Sequence, residues 1–236
     1  RPGKPAKSAT CPYAATRPAG INRMVCHIRS VGVKSTFRSI TWCSMRAKCH
    51  RCHYPLNTCL CEHIKPVHNQ TEVVVLQHSK EAVHAKNTVK LLQLSLQNIH
   101  CYTGKIAEDF KSLREALIEC DDATVVLYPS PESTELTSTY KLQNYSKIKR
   151  LIVIDGSWKQ AYGLWKRNPW LDKYPFYRLP DNIDGQYGIR KTQVSNGLST
   201  LEAVAFTLQC IESTDTAPLY QLLDAFKQQW YRFSGN

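Results

Sequence analysis

Four cysteines fall within thirteen residues in "CHRCHYPLNTCLC", Cys49 to Cys61, with the spacing C-x2-C-x6-C-x-C. Two thiolates two residues apart can reach one ion from a single tight turn, and a second pair closes a tetrahedral site around it. Cys49, Cys52, Cys59 and Cys61 would make an array of soft donors that suits Zn2+, with no open position for substrate, so its role would be structural. Pro55 and Asn57 supply turn chemistry between the pairs. His50, His53 and His63 are near enough in sequence to replace one cysteine. Clustered thiols without metal, or local disulfides, are the competing readings. Ten cysteines in 236 residues are too dilute for a disulfide-built scaffold. Cys101, Cys120 and Cys210 lie in or beside apolar segments and read as small core residues.

A second stretch with chemical content is "IDGSW", where an apolar run ends in Asp155, Gly156 and Ser157 before a helical pattern. Ser157 and Gln160 have capping-box spacing, and Trp158, Ala161, Tyr162 and Trp165 form one helical stripe. An acidic side chain at the top of a buried strand, beside a helix start, is suited to catalysis or to orienting a ligand. Equally, Asp155 could cap the turn and Trp158 could be core. Ser199 and Glu202 in "LSTLEAVA" form a second capping box after a loop carrying Gly188 and Gly197; a well-capped helix is sufficient explanation there.

These residues need elements to position them. "EVVVLQH" (72–78), "IHCYTG" (99–104), "ATVVLYPS" (123–130), "LIVI" (151–154) and "PFYRLP" (175–180) read as strands. Helical patterns cover 81–96, 107–120, 158–168, 199–213 and 218–233. Phe110, Leu113, Leu117 and Ile118 form the apolar side of the second helix, and Pro169 ends the third. Continuous apolar strands alternating with helices predict an α/β fold, a mostly parallel sheet with helices on both faces. Residues 130–147 read as a polar loop. Ligands in such sheets bind beyond the carboxyl ends of the strands.

The net charge is +12, which suits a polyanion such as nucleic acid. No Asp or Glu precedes Glu62, and residues 1–44 carry eight basic side chains without helical or strand periodicity. That segment could be an RNA-binding tail, a targeting segment, or sequence outside the functional protein, with Met45 as the natural start. The expected organisation is a basic segment over 1–44, a zinc-binding segment over 45–66 and a catalytic domain over 67–236. No apolar run is long enough to span a membrane, and no secretory signal is visible.

The motifs in order are the cysteine cluster, His78-x-x-Glu81 with Asn87-Thr88, Tyr128-Pro129, Asp155-Gly-Ser157-Trp158, and Leu198-Ser199-Thr200-x-Glu202-Ala. Together they resemble the DTW-domain family of tRNA-uridine aminocarboxypropyltransferases, from Met45 to about Arg232. The family motif Asp-x-Thr-Trp stands here with Ser157 in place of Thr, which keeps the hydroxyl. The resemblance implies a SPOUT-related fold with a C-terminal knot, and a cytoplasmic enzyme acting on tRNA. It implies transfer of the 3-amino-3-carboxypropyl group of S-adenosylmethionine to uridine N3, giving acp3U and 5′-methylthioadenosine. Asp155 would take the N3 proton, and Trp158 would stand beside the unstacked base. Backbone around Tyr128–Pro129, Gly156–Trp158 and Leu198–Thr200, together with Glu202, would hold the cofactor. Lys86, Lys159, Arg167, Arg190 and Lys191 would meet phosphates. A SPOUT-like RNA methyltransferase and a non-catalytic zinc-bearing RNA-binding protein are the alternatives.

Overall fold

The computed structural model describes residues 47–117, 123–136, 145, 147–181, 183 and 198–233. The chain divides into two compact units, Arg1–Glu62 and His63–Asn236. In the first unit, Lys48 and Pro55 pair in an antiparallel bridge. Cys49 N donates to Tyr54 O at 2.8 Å, and His53 N donates to Cys49 O at 2.9 Å. His53 stands at φ 59°, a left-handed conformation that few non-glycine residues adopt and that folds the chain back after Cys52. A 3-10 turn, Leu56–Thr58, then leads into Cys59.

The second unit is built on a six-stranded sheet. Its strands are β1 (Glu72–His78), β2 (Ile99–Gly104), β3 (Thr124–Leu127), β4 (Thr134–Glu135), β5 (Arg150–Asp155) and β6 (Phe176–Arg178), in the order β2-β1-β5-β3-β6-β4. Every pairing is parallel. The helices are α1 (Ser79–Ala82), α2 (Val89–Ser95), α3 (Lys111–Leu117), α4 (Trp158–Lys166), α5 (Thr200–Glu212) and α6 (Ala217–Phe233).

Strand pleating divides the core in two. Val74, Leu76, Val126, Ile152 and Ile154 pack with Phe110, Leu113 and Leu117 and with Ala161 and Leu164 of α4. The intervening residues, including Val75, Gln77, Val153 and Asp155, face the other side, where α5 meets β5 and packs with α2 and α6. Burial on both faces accounts for the unbroken apolar runs of β1 and β5.

The structure departs from the sequence reading at four places. The helix expected over 81–96 is broken into α1 and α2. Asn87 Oδ1 accepts from Val89 N at 2.9 Å and its Nδ2 donates to Glu81 O at 3.3 Å, so the Asn side chain competes with the helix and restarts it. The helix expected from 107 opens as a 3-10 turn, Ala107–Phe110, before α3; its continuation past Leu117, with Ile118, lies outside the described residues. A two-residue strand, β4, interrupts the polar loop and pairs with β6. Cys101 and Cys210 are half-buried rather than core; Cys120 lies outside the described residues. Among the described residues, no helix is long and apolar enough to cross a membrane.

Leu164 is fully buried in the cluster under α4. Leu164→Ala should therefore cost about 2–5 kcal/mol of stability in urea unfolding, the usual range for a buried Leu truncation. Tyr162→Ala, on the exposed side of the same helix, should stay within about 0.5 kcal/mol.

Candidate active site

The site is assembled where β5 and β1 end side by side. Gln77 pairs in register with Asp155, so both side chains leave the same face of the sheet. Gln77 Nε2 donates to Asp155 Oδ2 at 2.9 Å. Thr200 Oγ1, in the first turn of α5, donates to Asp155 Oδ1 at 2.5 Å. Asp155 is only 5% exposed. Burial raises its carboxyl above the ordinary value of 3.8, while the bonds from Thr200 and Gln77 pull it down. Burial wins, so this carboxylate is a stronger base than a solvated one. Burial likewise lifts the neighbouring Cys101 thiol to about 11, with the Asp155 charge adding to it.

Both motif loops are rigidly capped. Ser157 N donates to Gln160 Oε1 at 2.7 Å. A Cβ on Gly156 would stand 2.9 Å from Gln160 Cβ, so only glycine allows this approach between strand end and helix. At α5 the box is reciprocal: Ser199 N and Oγ both donate to Glu202 Oε2 at 2.7 Å, and Glu202 N donates to Ser199 Oγ at 3.3 Å. The two segments that looked like separate capping boxes are thus joined through Asp155 and Thr200.

The expected aromatic stripe splits. Ala161 is buried, while Trp158 and Tyr162, one turn apart, are 53% and 54% exposed. Trp165 is half-buried between Tyr128 (centroids 5.3 Å) and Phe176 (5.7 Å), with Lys166 Nζ 3.7 Å from its ring centroid. Tyr128 spends its side chain on this core, and its backbone is engaged as well: its N donates to Tyr177 O at 2.9 Å and its O accepts from Ser130 N at 2.8 Å. Pro129 is exposed beside it. The next residue, Ser130, buries an Oγ with no hydrogen-bond partner among the described residues. Leu198 precedes the Ser199 cap.

The proposed cations are scattered. Lys86 lies over Trp230, 5.0 Å from its centroid. Lys159 is exposed on α4, and Arg167 caps its C-terminal end. Arg190 and Lys191 lie outside the described residues. Sequence reasoning missed Gln77, whose signal was a polar residue at an inward position of an otherwise apolar strand, and the bond from Thr200, for which the sequence held no signal.

In the first unit, the Sγ atoms of Cys49, Cys52, Cys59 and Cys61 all lie within 4.8 Å of one another. Cys49–Cys61 is 3.5 Å and Cys52–Cys59 is 3.7 Å. These are far beyond a disulfide bond length of about 2.05 Å, and close to the roughly 3.8 Å edge of a sulfur tetrahedron with metal–sulfur bonds of about 2.3 Å. Burial pushes the Cys61 thiol up to about 12. The cluster can hold a metal; no histidine joins it among the described residues.

A family profile described as DTW domain matches residues 46–233. The chain belongs to the DTW-domain family. It is 32% identical over 195 residues to a mouse protein (Mus musculus) named tRNA-uridine aminocarboxypropyltransferase 2, covering 78% of this chain and 64% of the relative. A Macaca fascicularis protein of the same name is 30% identical, over 72% of this chain and 58% of its own length. tRNA-uridine aminocarboxypropyltransferase A of Arabidopsis thaliana is 33% identical over 49% of each chain. This DTW-domain chain thus spans less than two thirds of the length of the mouse and macaque proteins. No solved structure matches it.

The raised Asp155 carboxyl has a consequence for stability. Between pH 3.8 and its folded value, the folded state holds a proton that the unfolded chain has lost. Stability contributed by this group therefore falls as pH rises through that window and is flat above it. Urea unfolding of Asp155→Asn and wild type across pH should show the variant gaining relative stability as pH rises through the window. A constant difference would show that burial does not dominate the carboxyl.

Proposed function

We propose that this DTW-domain chain transfers the 3-amino-3-carboxypropyl group of S-adenosylmethionine to N3 of a uridine in tRNA, giving acp3U and 5′-methylthioadenosine. The observation that carries this reading is the buried Asp155 carboxylate, held by Gln77 and Thr200 where two segments of the DTW resemblance converge. The names of the relatives support the substrate and the group transferred.

S-adenosylmethionine would supply a sulfonium-activated γ-carbon, with 5′-methylthioadenosine as a neutral leaving group. The chain's residues would do the rest. Asp155 takes the N3 proton, and the raised affinity of its carboxyl for protons suits that task. The two donors on its oxygens fix its orientation, and positioning of this kind can supply much of a rate enhancement. Backbone at Tyr128–Pro129, Gly156–Ser157 and Leu198–Thr200, with Glu202 bracing the α5 start, would hold the donor. The orphaned Ser130 hydroxyl is a buried polar group that a bound ligand would satisfy. Exposed Trp158 offers a face on which an unstacked base can rest. Lys86, Lys159, Arg167, Arg190 and Lys191 are the proposed phosphate contacts. A SPOUT-related arrangement with a C-terminal knot, and a cytoplasmic setting, belong to the same reading.

The cysteine cluster is read as one structural Zn2+ site. Its four thiols must lose their protons to bind, so affinity should fall as pH falls. Elemental analysis after washing with a weak chelator should find about one zinc per chain, and stripping it with a strong chelator should destabilise residues 47–62. Disulfides across these cysteines with no metal would overturn the site.

Asp155→Asn keeps the shape and removes the charge. Turnover in single-turnover transfer to tRNA should drop about 10²–10⁴-fold, the usual worth of a general base, with cofactor affinity by calorimetry changed much less. A parallel fall in affinity would make Asp155 an orienter of the donor's amino group. Near-normal turnover would leave it a turn residue. Recovery of S-adenosylhomocysteine in place of 5′-methylthioadenosine would turn the reading to methyl transfer.

A further inference from the structure

The carboxyl ends of β1 and β2 carry His78, Lys80 and Lys105, which the transfer chemistry above does not use, and Arg167, proposed above as a phosphate contact, reaches them from α4. His78, the last residue of β1, is 7% exposed. Its Nδ1 accepts from Lys80 N at 3.2 Å, which places the proton of the neutral ring on Nε2.

Three cations surround this donor. Lys80 follows it by two residues. Gly104 of β2 pairs with His78 in register, so Lys105 emerges beside it. A Cβ on Gly104 would meet Asp109 Cβ at 2.5 Å and Phe110 at 2.9 Å, so glycine lets the 3-10 turn close tightly here and fixes where Lys105 leaves the sheet. Arg167 arrives from α4. Asn168, fully buried, donates through Nδ2 to Leu164 O at 2.7 Å and to Lys105 O at 3.3 Å, pinning the end of α4 to the end of β2. The Arg167 guanidinium folds back over Gly163, where a Cβ would stand 3.3 Å from Nη1.

Lys80, Lys105 and Arg167 are all exposed, and none pairs with a carboxylate side chain at salt-bridge distance among the described residues. The acid beside them is Asp109, whose Oδ2 already accepts from Lys105 N at 2.7 Å and Ile106 N at 3.2 Å. All three cations bear on the His78 ring, which burial and their charges hold below its ordinary pKa. The ring is therefore a neutral donor amid positive charge, which is an environment built for an anion.

We propose that His78, Lys80, Lys105 and Arg167 form a phosphodiester-binding subsite for the substrate RNA, at the same strand ends as Asp155 but on the α4 face of the sheet. The proposal rests on the functional reading above. Gln77, the residue before His78, bonds Asp155, and the strand pleat sends His78 to the opposite face, the one that Val74 and Leu76 share with α4. A phosphate clamped there would hold the RNA on the α4 side of the strand ends, the side that carries Trp158. Three spread cations suit the two outward oxygens of a phosphodiester better than one compact carboxylate.

The test is tRNA binding by fluorescence anisotropy across a salt series, with Lys105→Ala, Arg167→Ala, Arg167→Lys and the double variant Lys105→Ala/Arg167→Ala. Lys111→Ala, an exposed α3 lysine 3.9 Å from Glu115, is the control. Each single alanine variant should reduce the slope of log K against log salt by about 0.7–0.9, the share of one phosphate contact, and the double variant by about twice that. Arg167→Lys should keep the slope, and the control should not move it. S-adenosylmethionine affinity and melting temperature should stay near wild type. Unchanged slopes in the alanine variants would overturn the subsite. So would a collapse of S-adenosylmethionine affinity with RNA binding intact, which would assign the cations to the donor's carboxylate. The expected slope changes in the variants, with wild-type protein that binds tRNA but transfers nothing, would leave the subsite standing and sink the functional reading instead.

Discussion

Everything near the candidate site turns on one buried charge. Asp155 brings a carboxylate out of water at the end of the central strand β5, and among the described residues two neutral donors, Gln77 and Thr200, compensate it. A hydrogen bond to a charged group is worth roughly 1.5–3 kcal/mol, and removing a carboxylate from water costs several. The balance is unfavourable to the ionised form, as the raised proton affinity records. A fold does not gain stability from such an arrangement. It gains a pre-positioned carboxylate, with β1, β5 and α5 each fixed relative to the others by the need to satisfy that group.

The surroundings serve the same constraint. Gly156 permits Gln160 to close on the strand end, and the reciprocal Ser199–Glu202 box keeps the first turn of α5 rigid enough for Thr200 to hold its donor in place. The core beneath α4, with Leu164 and Ala161 against Ile152 and Ile154, sets the height of the helix that displays Trp158 and Tyr162. These two rings stay half in water on a firmly packed helix.

Much of this was legible in the sequence, for reasons that differ by element. β1 and β5 announced themselves because a parallel strand buried on both faces must be apolar throughout. Asp155 stood out because a charge has no business ending such a run. The cysteine cluster was legible because tetrahedral coordination restricts spacing. The break between α1 and α2 was hidden because Asn87 acts through a side-chain bond that helical periodicity does not register. β4 was hidden because two residues cannot show a period. The bonds to Asp155 from Gln77 and Thr200, 78 and 45 residues distant, are products of the sheet order, which no local pattern encodes.

That sheet order also bears on how the molecule comes into being. β5 lies between β1 and β3, so the middle of the sheet cannot close until a strand from the second half of the chain inserts beside the first. Loop closure over such separations is slow relative to local helix and turn formation. The buried pairing of Asp155 with Gln77 is therefore created by one of the later pairings of the folding reaction. A nascent chain stopped before Asp155 exposes β1 as an open, hydrophobic edge. Assembly of the candidate site and escape from aggregation arrive in the same step.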